Sequence, residues 1–218
     1  MDPAAGAAGD LRDLPGVRPL AGGRGALCEV RAETRRPTVM SDVIDLKRRR
    51  VTRGARRAFR NWKNRFKEDF DLDARLSGIS MRTLCFLARG REDSTFYLYD
   101  LIMNVLGTGS GFEFNLLESE DKMRITDRYL FLLDQVRYEC MRRLGWIKAC
   151  PGEVFTIVEL IEDFDSLAPS VHAGIPKLAP SHPRYEEFTK LTAFEKESFI
   201  RGLIPAVLRE LEGYSSTL

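Results

Sequence analysis

Apolar residues recur three and four positions apart along most of the chain after about residue 50. This spacing is typical of amphipathic helices, which turn one face towards a core. Residues that cap or end helices divide the pattern into segments. The predicted helices cover about residues 52–68, 80–89, 94–106, 119–144, 157–166, 192–201 and 205–213. The pattern therefore predicts an all-α fold, a compact multi-helix bundle.

Residues 154–164 also fit a β-strand, because they are rich in β-branched side chains. Thr156 and Glu159, however, have the spacing of a helix capping box. Phe155 and Leu160 occupy the positions of the hydrophobic staple that often accompanies such a box. We therefore predict a helix that begins near residue 157.

The fourth predicted helix is apolar over much of its circumference, which is typical of a helix surrounded by others. It is expected to be the long central helix of the bundle. One side is predicted to face the core and carries Met123, Leu130, Leu133, Cys140 and Leu144.

Arg137 falls in the middle of this side, where a guanidinium group needs a partner. Asp100, on the third predicted helix, is surrounded in sequence by apolar residues. We predict an ion pair between Arg137 and Asp100, and a structural pair is favoured over a ligand site.

The predicted organisation has three parts. Residues 1–39 are rich in Ala, Gly, Pro and Arg without apolar periodicity, so a disordered tail is expected, and Met40 is an alternative start. Residues 40–69 form a basic amphipathic helix or arm. Residues 70–218 form the helical domain, with a proline-rich connector at 167–183.

Charge is distributed unevenly along the chain. Residues 47–67 hold eleven basic side chains and no acidic one, whereas the chain from Glu68 onwards has 17 basic and 25 acidic residues. On a helical projection, Phe59, Trp62 and Phe66 share an apolar stripe, and most cations lie opposite. Gly54 is expected to weaken the first turn, so that residues 47–53 form a flexible arm.

Arginine outnumbers lysine eight to three in this segment, and guanidinium groups bind phosphate in a bidentate manner. This composition predicts non-specific nucleic-acid binding. The predicted binding residues, which we call the basic face, are Arg48, Arg49, Arg50, Arg53, Arg56, Arg57, Arg60, Lys63 and Lys67.

Other interpretations of the same helix remain open. The aromatic stripe is able to dock on the protein's own core. Alternatively, the helix engages an anionic membrane surface or an acidic protein partner, with the aromatic side chains as anchors. Burial of Trp62 separates these interpretations, because a buried anchor is unavailable to a membrane or partner.

The sequence offers little for catalysis. None of the four cysteines has C-x-x-C spacing and there are only two histidines, so no zinc site is predicted. His172 and His182 both lie in the predicted connector. The segment GTGSG, residues 107–111, follows a helix rather than a strand, which favours helix termination over a phosphate-binding loop. We predict no enzymatic activity, cofactor or metal.

Composition adds the expected class and location. The chain is 44% apolar and 30% charged, as in ordinary soluble domains. It has no apolar run of about 18 residues, so no transmembrane helix is expected. Cys85 and Cys140 fall in apolar helical patterns and are predicted to be buried free thiols. These features favour the cytoplasm.

Overall fold

The structure, a computed structural model, describes residues 45–215. The fold is all-α, as predicted, with a small two-stranded sheet. The helices are α1 (Leu46–Phe66), α2 (Met81–Ala88), α3 (Glu92–Leu106), α4 (Ser119–Arg143), α5 (Ile157–Glu162), α6 (Phe164–Ala173), α7 (Tyr185–Thr189) and α8 (Ala193–Ser215). The strands are β1 (Ile147–Ala149) and β2 (Lys177–Leu178), and short 3-10 helices occur at Leu76–Gly78, Gly111–Leu116 and Pro151–Val154.

The long helix α4 is central to the bundle, which confirms the prediction. It packs against α2, α3, α5 and α8, and against β1. Leu132, Val136, Cys140 and Met141 are buried on it. The second half of α4 is therefore covered on several sides, because neighbouring helices surround it.

The predicted core side of α4 is partly wrong. Met123 and Leu130 are 68% and 52% exposed. The covered face is rotated towards Ile125, Tyr129 and Val136, which are buried against neighbouring elements. An apolar arc this wide leaves several orientations open, and the packing of α2 and α3 selects one of them.

The capping box at the start of α5 is confirmed. The backbone N–H of Glu159 donates to Thr156 Oγ1 at 3.1 Å, and the N–H of Thr156 donates to Glu159 Oε2 at 2.7 Å. The single helix predicted over 157–166 is nevertheless two helices. Asp163, with φ −96° and ψ 18°, leaves the helical conformation and separates α5 from α6.

The proline-rich connector predicted at 167–183 is also partly ordered into regular structure. α6 continues through Pro169 to Ala173, and β2 follows at Lys177. β2 pairs antiparallel with β1, with Ile147 opposite Leu178. Both of these side chains are buried, so the short ladder tethers the connector to the core.

The end of the chain forms one helix rather than the predicted two. Thr192 and Glu195 make the expected reciprocal bonds at the start of α8. Pro205, predicted to begin a separate helix, lies inside α8 with its side chain exposed. The buried residues of α8 continue at helical spacing across Pro205 and are Ile200, Leu203, Val207 and Leu211. Packing of this apolar face favours a continuous helix.

The expectations for residues 1–39 and for a start at Met40 lie outside the described residues. The described residues belong to one compact unit, in which α1 packs on α3. Within residues 45–215, no helix combines the length and the apolar character that crossing a membrane requires.

Candidate nucleic-acid interface

α1 begins and ends with identifiable caps. Asp45 is the N-cap, and its Oδ1 accepts a hydrogen bond from the N–H of Arg48 at 3.0 Å. At the other end, Lys67 adopts a left-handed conformation with φ 63°, and its N–H donates to the carbonyl of Lys63 at 2.9 Å. Cations in the last turn suit the negative end of the helix dipole. Because Asp45 is the N-cap, the helix begins at Leu46, six residues earlier than predicted.

The predicted flexible arm at 47–53 is wrong, since these residues are helical. Gly54 explains the difference. A Cβ atom there would lie 1.8 Å from the backbone oxygen of Asn104 in α3. The glycine thus brings the two helix backbones into close contact, and the packing gained offsets its low helix propensity.

The aromatic stripe of α1 docks on the core. Trp62 is 0% exposed, and its Nε1–H donates to the carbonyl of Tyr97 at 3.2 Å. Phe59 is also buried and meets Trp62 edge to face at 5.8 Å between ring centroids. Phe66 and Phe70 pack at the end of the same cluster. Because these side chains are used internally, α1 is held with its opposite face outward.

Polar contacts also fix α1 on α3. Asp100, buried in α3, accepts hydrogen bonds from Asn61 Nδ2, Asn104 Nδ2 and the N–H of Gly111, each at 3.0 Å. The predicted pair between Asp100 and Arg137 is therefore wrong. Asp100 faces α1 rather than α4, because these hydrogen bonds hold it there.

Arg137 instead reaches the end of α2. Its Nε donates to the carbonyl of Ala88 at 3.1 Å, and its Nη1 lies 4.0 Å from Asp134 Oδ1 on its own helix. The side chain is 20% exposed, so it needs less internal compensation than a fully buried guanidinium. Arg137 thus caps a helix end and does not set the register between α3 and α4.

All nine residues of the basic face are exposed, and they lie on α1 or at its C-cap. Within residues 45–215, the only ion pair that any of them forms joins Lys63 to Asp69. Arg57 is close enough to the exposed Glu113 to contribute to lowering the pKa of that carboxyl, although hydrogen bonds from Ser110 are the main cause. The face therefore presents mostly unneutralised cations to solvent.

Three arginines of the basic face also border a cleft of about 230 Å³, beside the glycine-containing loop after α3. They are Arg50, Arg53 and Arg57, and Gly107 and Gly109 form part of the opposite wall. Gly107 ends α3 with φ 71°, so the predicted role of this loop in helix termination is confirmed.

Sequence reasoning missed a second group of cations. Arg65, Lys67, Arg82 and Arg89 line a cleft of about 290 Å³ between the end of α1 and α2, which we call the α1–α2 cleft. Only Lys67 among them belongs to the predicted set. Arg82 in α2 and Arg89 at its C-cap are seven residues apart, a spacing that places both on one face of the helix and was visible in the sequence.

Within residues 45–215, neither histidine forms an ion pair with a carboxylate. His172 is exposed and contacts the ring of Phe131 at 5.5 Å between centroids. His182 packs on Trp146, and its Nδ1 accepts from the N–H of Arg184. Burial and the neighbouring charge of Arg184 lower the pKa of His182.

The cysteines of residues 45–215 are buried and are not part of the interface. Cys85 and Cys140 are buried free thiols, as predicted, and Cys150 is a third. In the described part of the chain, no group of three or more His, Cys, Asp or Glu side chains is arranged to hold a metal ion.

Comparison with known proteins does not identify a relative. The chain matches no family model, no curated protein and no solved structure.

Proposed function

We propose that this protein is a small, non-enzymatic, cytoplasmic protein that binds nucleic acid without sequence specificity through the basic face of α1. One observation carries the proposal. The nine cations of that face are exposed, and eight of them form no ion pair with any residue in 45–215. An array of uncompensated cations attracts polyanions.

The dimensions of α1 suit this role. Its 21 residues span about 32 Å at 1.5 Å per residue. This length matches roughly nine base-pair steps of duplex DNA at 3.4 Å each. Arginine supplies most of the charge, and its fork is well matched to phosphate oxygens. Contacts of this kind position a protein on the backbone and carry no sequence information.

The alternative, an adaptor that engages an acidic protein or an anionic membrane, has weaker support. Membrane insertion and groove binding both use apolar anchors on the helix. Trp62 and Phe59, the strongest candidates on α1, are 0% and 3% exposed. Undocking them would sacrifice core packing, whereas phosphate binding by the outer face requires no such change.

A gel-shift titration of the full chain on a short duplex at two or more salt concentrations tests the proposal. If about six phosphates are engaged, log K falls with log salt with a slope of about −5. The variant Arg53→Gln/Arg56→Gln/Arg60→Gln removes three contacts and should reduce the slope to about −3. Deleting α1 is a poorer test, because its apolar face is part of the core.

The matched control is Arg75→Gln/Arg91→Gln/Arg209→Gln, which removes the same charge from exposed positions outside α1. It should bind within about twofold of the parent protein and keep the salt slope, because it removes no phosphate contact. Equal losses in the two triple variants would show that net charge, and not the α1 face, governs binding. No binding by the parent protein at low salt would reject nucleic acid as the ligand.

A further inference from the structure

The α1–α2 cleft combines cations from two helices. Arg82, Phe86 and Arg89 follow one another at spacings of four and three, so they lie on one face of α2. The end of α1 supplies Arg65 and Lys67 to the same cleft. The cleft has a volume of about 290 Å³, and four positive side chains and no acidic one line it.

These cations are not neutralised within the fold. Among the described residues, none of the four forms an ion pair. Arg65 lies over the ring of Phe86, with 4.9 Å from Cζ to the centroid, which orients the guanidinium without compensating its charge. Arg89 Nε is shielded from solvent and has no hydrogen-bond partner in residues 45–215. Arg65, Lys67 and Arg82 are exposed, so their donors are open to a ligand.

Glu68, which bonds to Thr83 in the lining of the cleft, is already engaged. Glu68 accepts hydrogen bonds from the N–H and hydroxyl of Ser80 and from the hydroxyl of Thr83. Partial burial raises the pKa of Glu68, but these hydrogen bonds and the charge of Arg143 outweigh burial, so the pKa is lowered overall. Burial raises the pKa of Cys85, so its thiol remains neutral beside Arg89. Glu68 is thus an ionised carboxylate whose hydrogen bonds go to Ser80 and Thr83, and within residues 45–215 it forms no ion pair with the cations of the cleft.

Lys67 supports the same conclusion from the backbone. It is the one non-glycine residue in the described chain with positive φ, at 63°. Glycine is the usual residue at such a helix C-cap, because a side chain is disfavoured there. A lysine at this position is disfavoured by local geometry, yet it places a cation in the cleft.

We propose that the α1–α2 cleft binds a phosphate monoester. The cleft volume is at the lower end for small-molecule sites, which suits a single phosphate group rather than a large ligand. Three arginine forks and a lysine match the several oxygens and the double charge of a monoester better than the single charge of a diester. The monoester is either a free small phosphate or the terminal phosphate of a nucleic-acid strand. Binding of the free form is independent of the function proposed for the basic face.

Calorimetric titration of the full chain with methyl phosphate and dimethyl phosphate tests the proposal. The monoester should bind saturably at one site and at least tenfold more tightly than the diester. Arg82→Gln/Arg89→Gln should weaken monoester binding at least tenfold, whereas the exposed control Arg75→Gln should leave it unchanged. Equal affinity for both esters, or insensitivity to the double substitution, overturns the proposal.

Lys67→Gly keeps the test interpretable if the double variant unfolds. Glycine readily adopts positive φ, so this variant should melt at or above the temperature of the parent protein. Its affinity for methyl phosphate should fall severalfold. Unchanged affinity in a folded Lys67→Gly variant, together with unchanged affinity in Arg82→Gln, would also reject the site.

A pair of oligonucleotides, one with a 5′-phosphate and one with a 5′-hydroxyl, distinguishes the two sources. A strand end is indicated if the phosphorylated strand binds at least tenfold more tightly and Arg82→Gln/Arg89→Gln removes the difference. A free small phosphate is indicated if the strands bind alike while methyl phosphate still binds. Substitution of Arg53, Arg56 and Arg60 should weaken the binding of both strands equally. Failure of the proposal for the basic face is therefore distinguishable from failure of the proposal for the cleft.

Discussion

Three arginines of α4 lie in a setting opposite to that of the arginines of α1, although the residue type is the same. Arg128, in α4, has a side chain only 3% exposed and donates to Asp165 at 2.7 Å. It also donates to the carbonyls of Ile161 and Arg124, and its guanidinium lies over the ring of Phe164. Acceptors on three residues and one aromatic ring thus engage this cation within the fold.

The end of α4 repeats this arrangement with one shared acid. Arg142 and Arg143 both donate to Glu139, which is 1% exposed, at 2.8 Å. Arg143 also donates to the carbonyls of Leu76 and Ser77, which joins α4 to the segment before α2. The fold therefore matches each of these guanidinium groups with acceptors.

The basic face of α1 has no comparable set of acceptors in the part of the chain described. The difference follows from solvation: a buried cation is costly unless paired, whereas an exposed one is stabilised by water. Internal pairing therefore identifies arginines that maintain the fold. Exposed clusters without pairing are the places to look for an external partner, and each prediction below tests one side of this contrast.

The largest effect is expected from Arg128→Ala. The substitution removes a buried hydrogen bond to the carbonyl of Ile161, a partly buried one to the carbonyl of Arg124, the ion pair with Asp165 and the packing on Phe164, so it should lower the free energy of unfolding by about 3 kcal/mol. Urea denaturation of both proteins measures the change. Arg124→Ala, one turn earlier and exposed, should cost less than about 1 kcal/mol. Arg124 is also paired, with Asp121, so similar losses in both variants would remove the distinction between buried and exposed arginines.

A smaller loss is expected when the shared acid is neutralised. Glu139→Gln keeps the shape of the side chain but converts charged hydrogen bonds with Arg142 and Arg143 into weaker ones. The free energy of unfolding at neutral pH should fall by about 2 kcal/mol, as measured by urea denaturation. The exposed Glu210→Gln variant should change it by less than about 0.5 kcal/mol. An unchanged free energy of unfolding in Glu139→Gln would mean that this cluster stabilises the fold no more than a surface ion pair does.

The same acid predicts a pH dependence. Burial raises the pKa of Glu139, but the hydrogen bonds and positive charges of Arg142 and Arg143 together outweigh burial and hold the pKa below the ordinary value of 4.5. The stabilisation by the ionised form is therefore complete above about pH 4.5 and is lost as the pH falls towards the lowered pKa.

Urea denaturation between pH 6 and about pH 3 should consequently show the unfolding free energies of the parent protein and Glu139→Gln converging as the pH falls. For one proton, the difference between them should shrink by at most about 1.4 kcal/mol per pH unit. Parallel stability curves over this range would contradict the assigned direction of the pKa shift.

Much of α1 could be predicted from the sequence. The spacing of Phe59, Trp62 and Phe66 defines an apolar stripe without tertiary information, and the position of the cations opposite it follows directly. Whether the stripe is covered depends on α3, because the backbones of α1 and α3 come into close contact at Gly54 and Asn104. A glycine in a helix gives no sequence signal that separates a flexible turn from a close contact.

The partner of Arg137 illustrates a different limit. Helical periodicity indicates which residues share a face, but it does not say which neighbouring element covers that face. Asp100 looked available because of its apolar surroundings, whereas hydrogen bonds from Asn61 and Gly111 engage it in the fold. The α1–α2 cleft was missed for the same reason, since Arg82 and Arg65 become neighbours only when α1 and α2 meet.

The smallest change in stability is expected on the basic face itself. Arg53→Ala/Arg56→Ala/Arg60→Ala removes three exposed side chains that form no ion pair within residues 45–215, and alanine favours helix at least as well as arginine. The free energy of unfolding should change by less than about 0.5 kcal/mol per substitution, and a small gain is as acceptable as a small loss. Duplex binding by this folded variant should nevertheless weaken, with the same decrease in salt slope expected for the glutamine triple variant.

Thermal melting and gel shift on one preparation measure both quantities. A loss of stability comparable to that of Arg128→Ala would mean that these arginines maintain the fold, and the contrast with α4 would then no longer argue for an external anion.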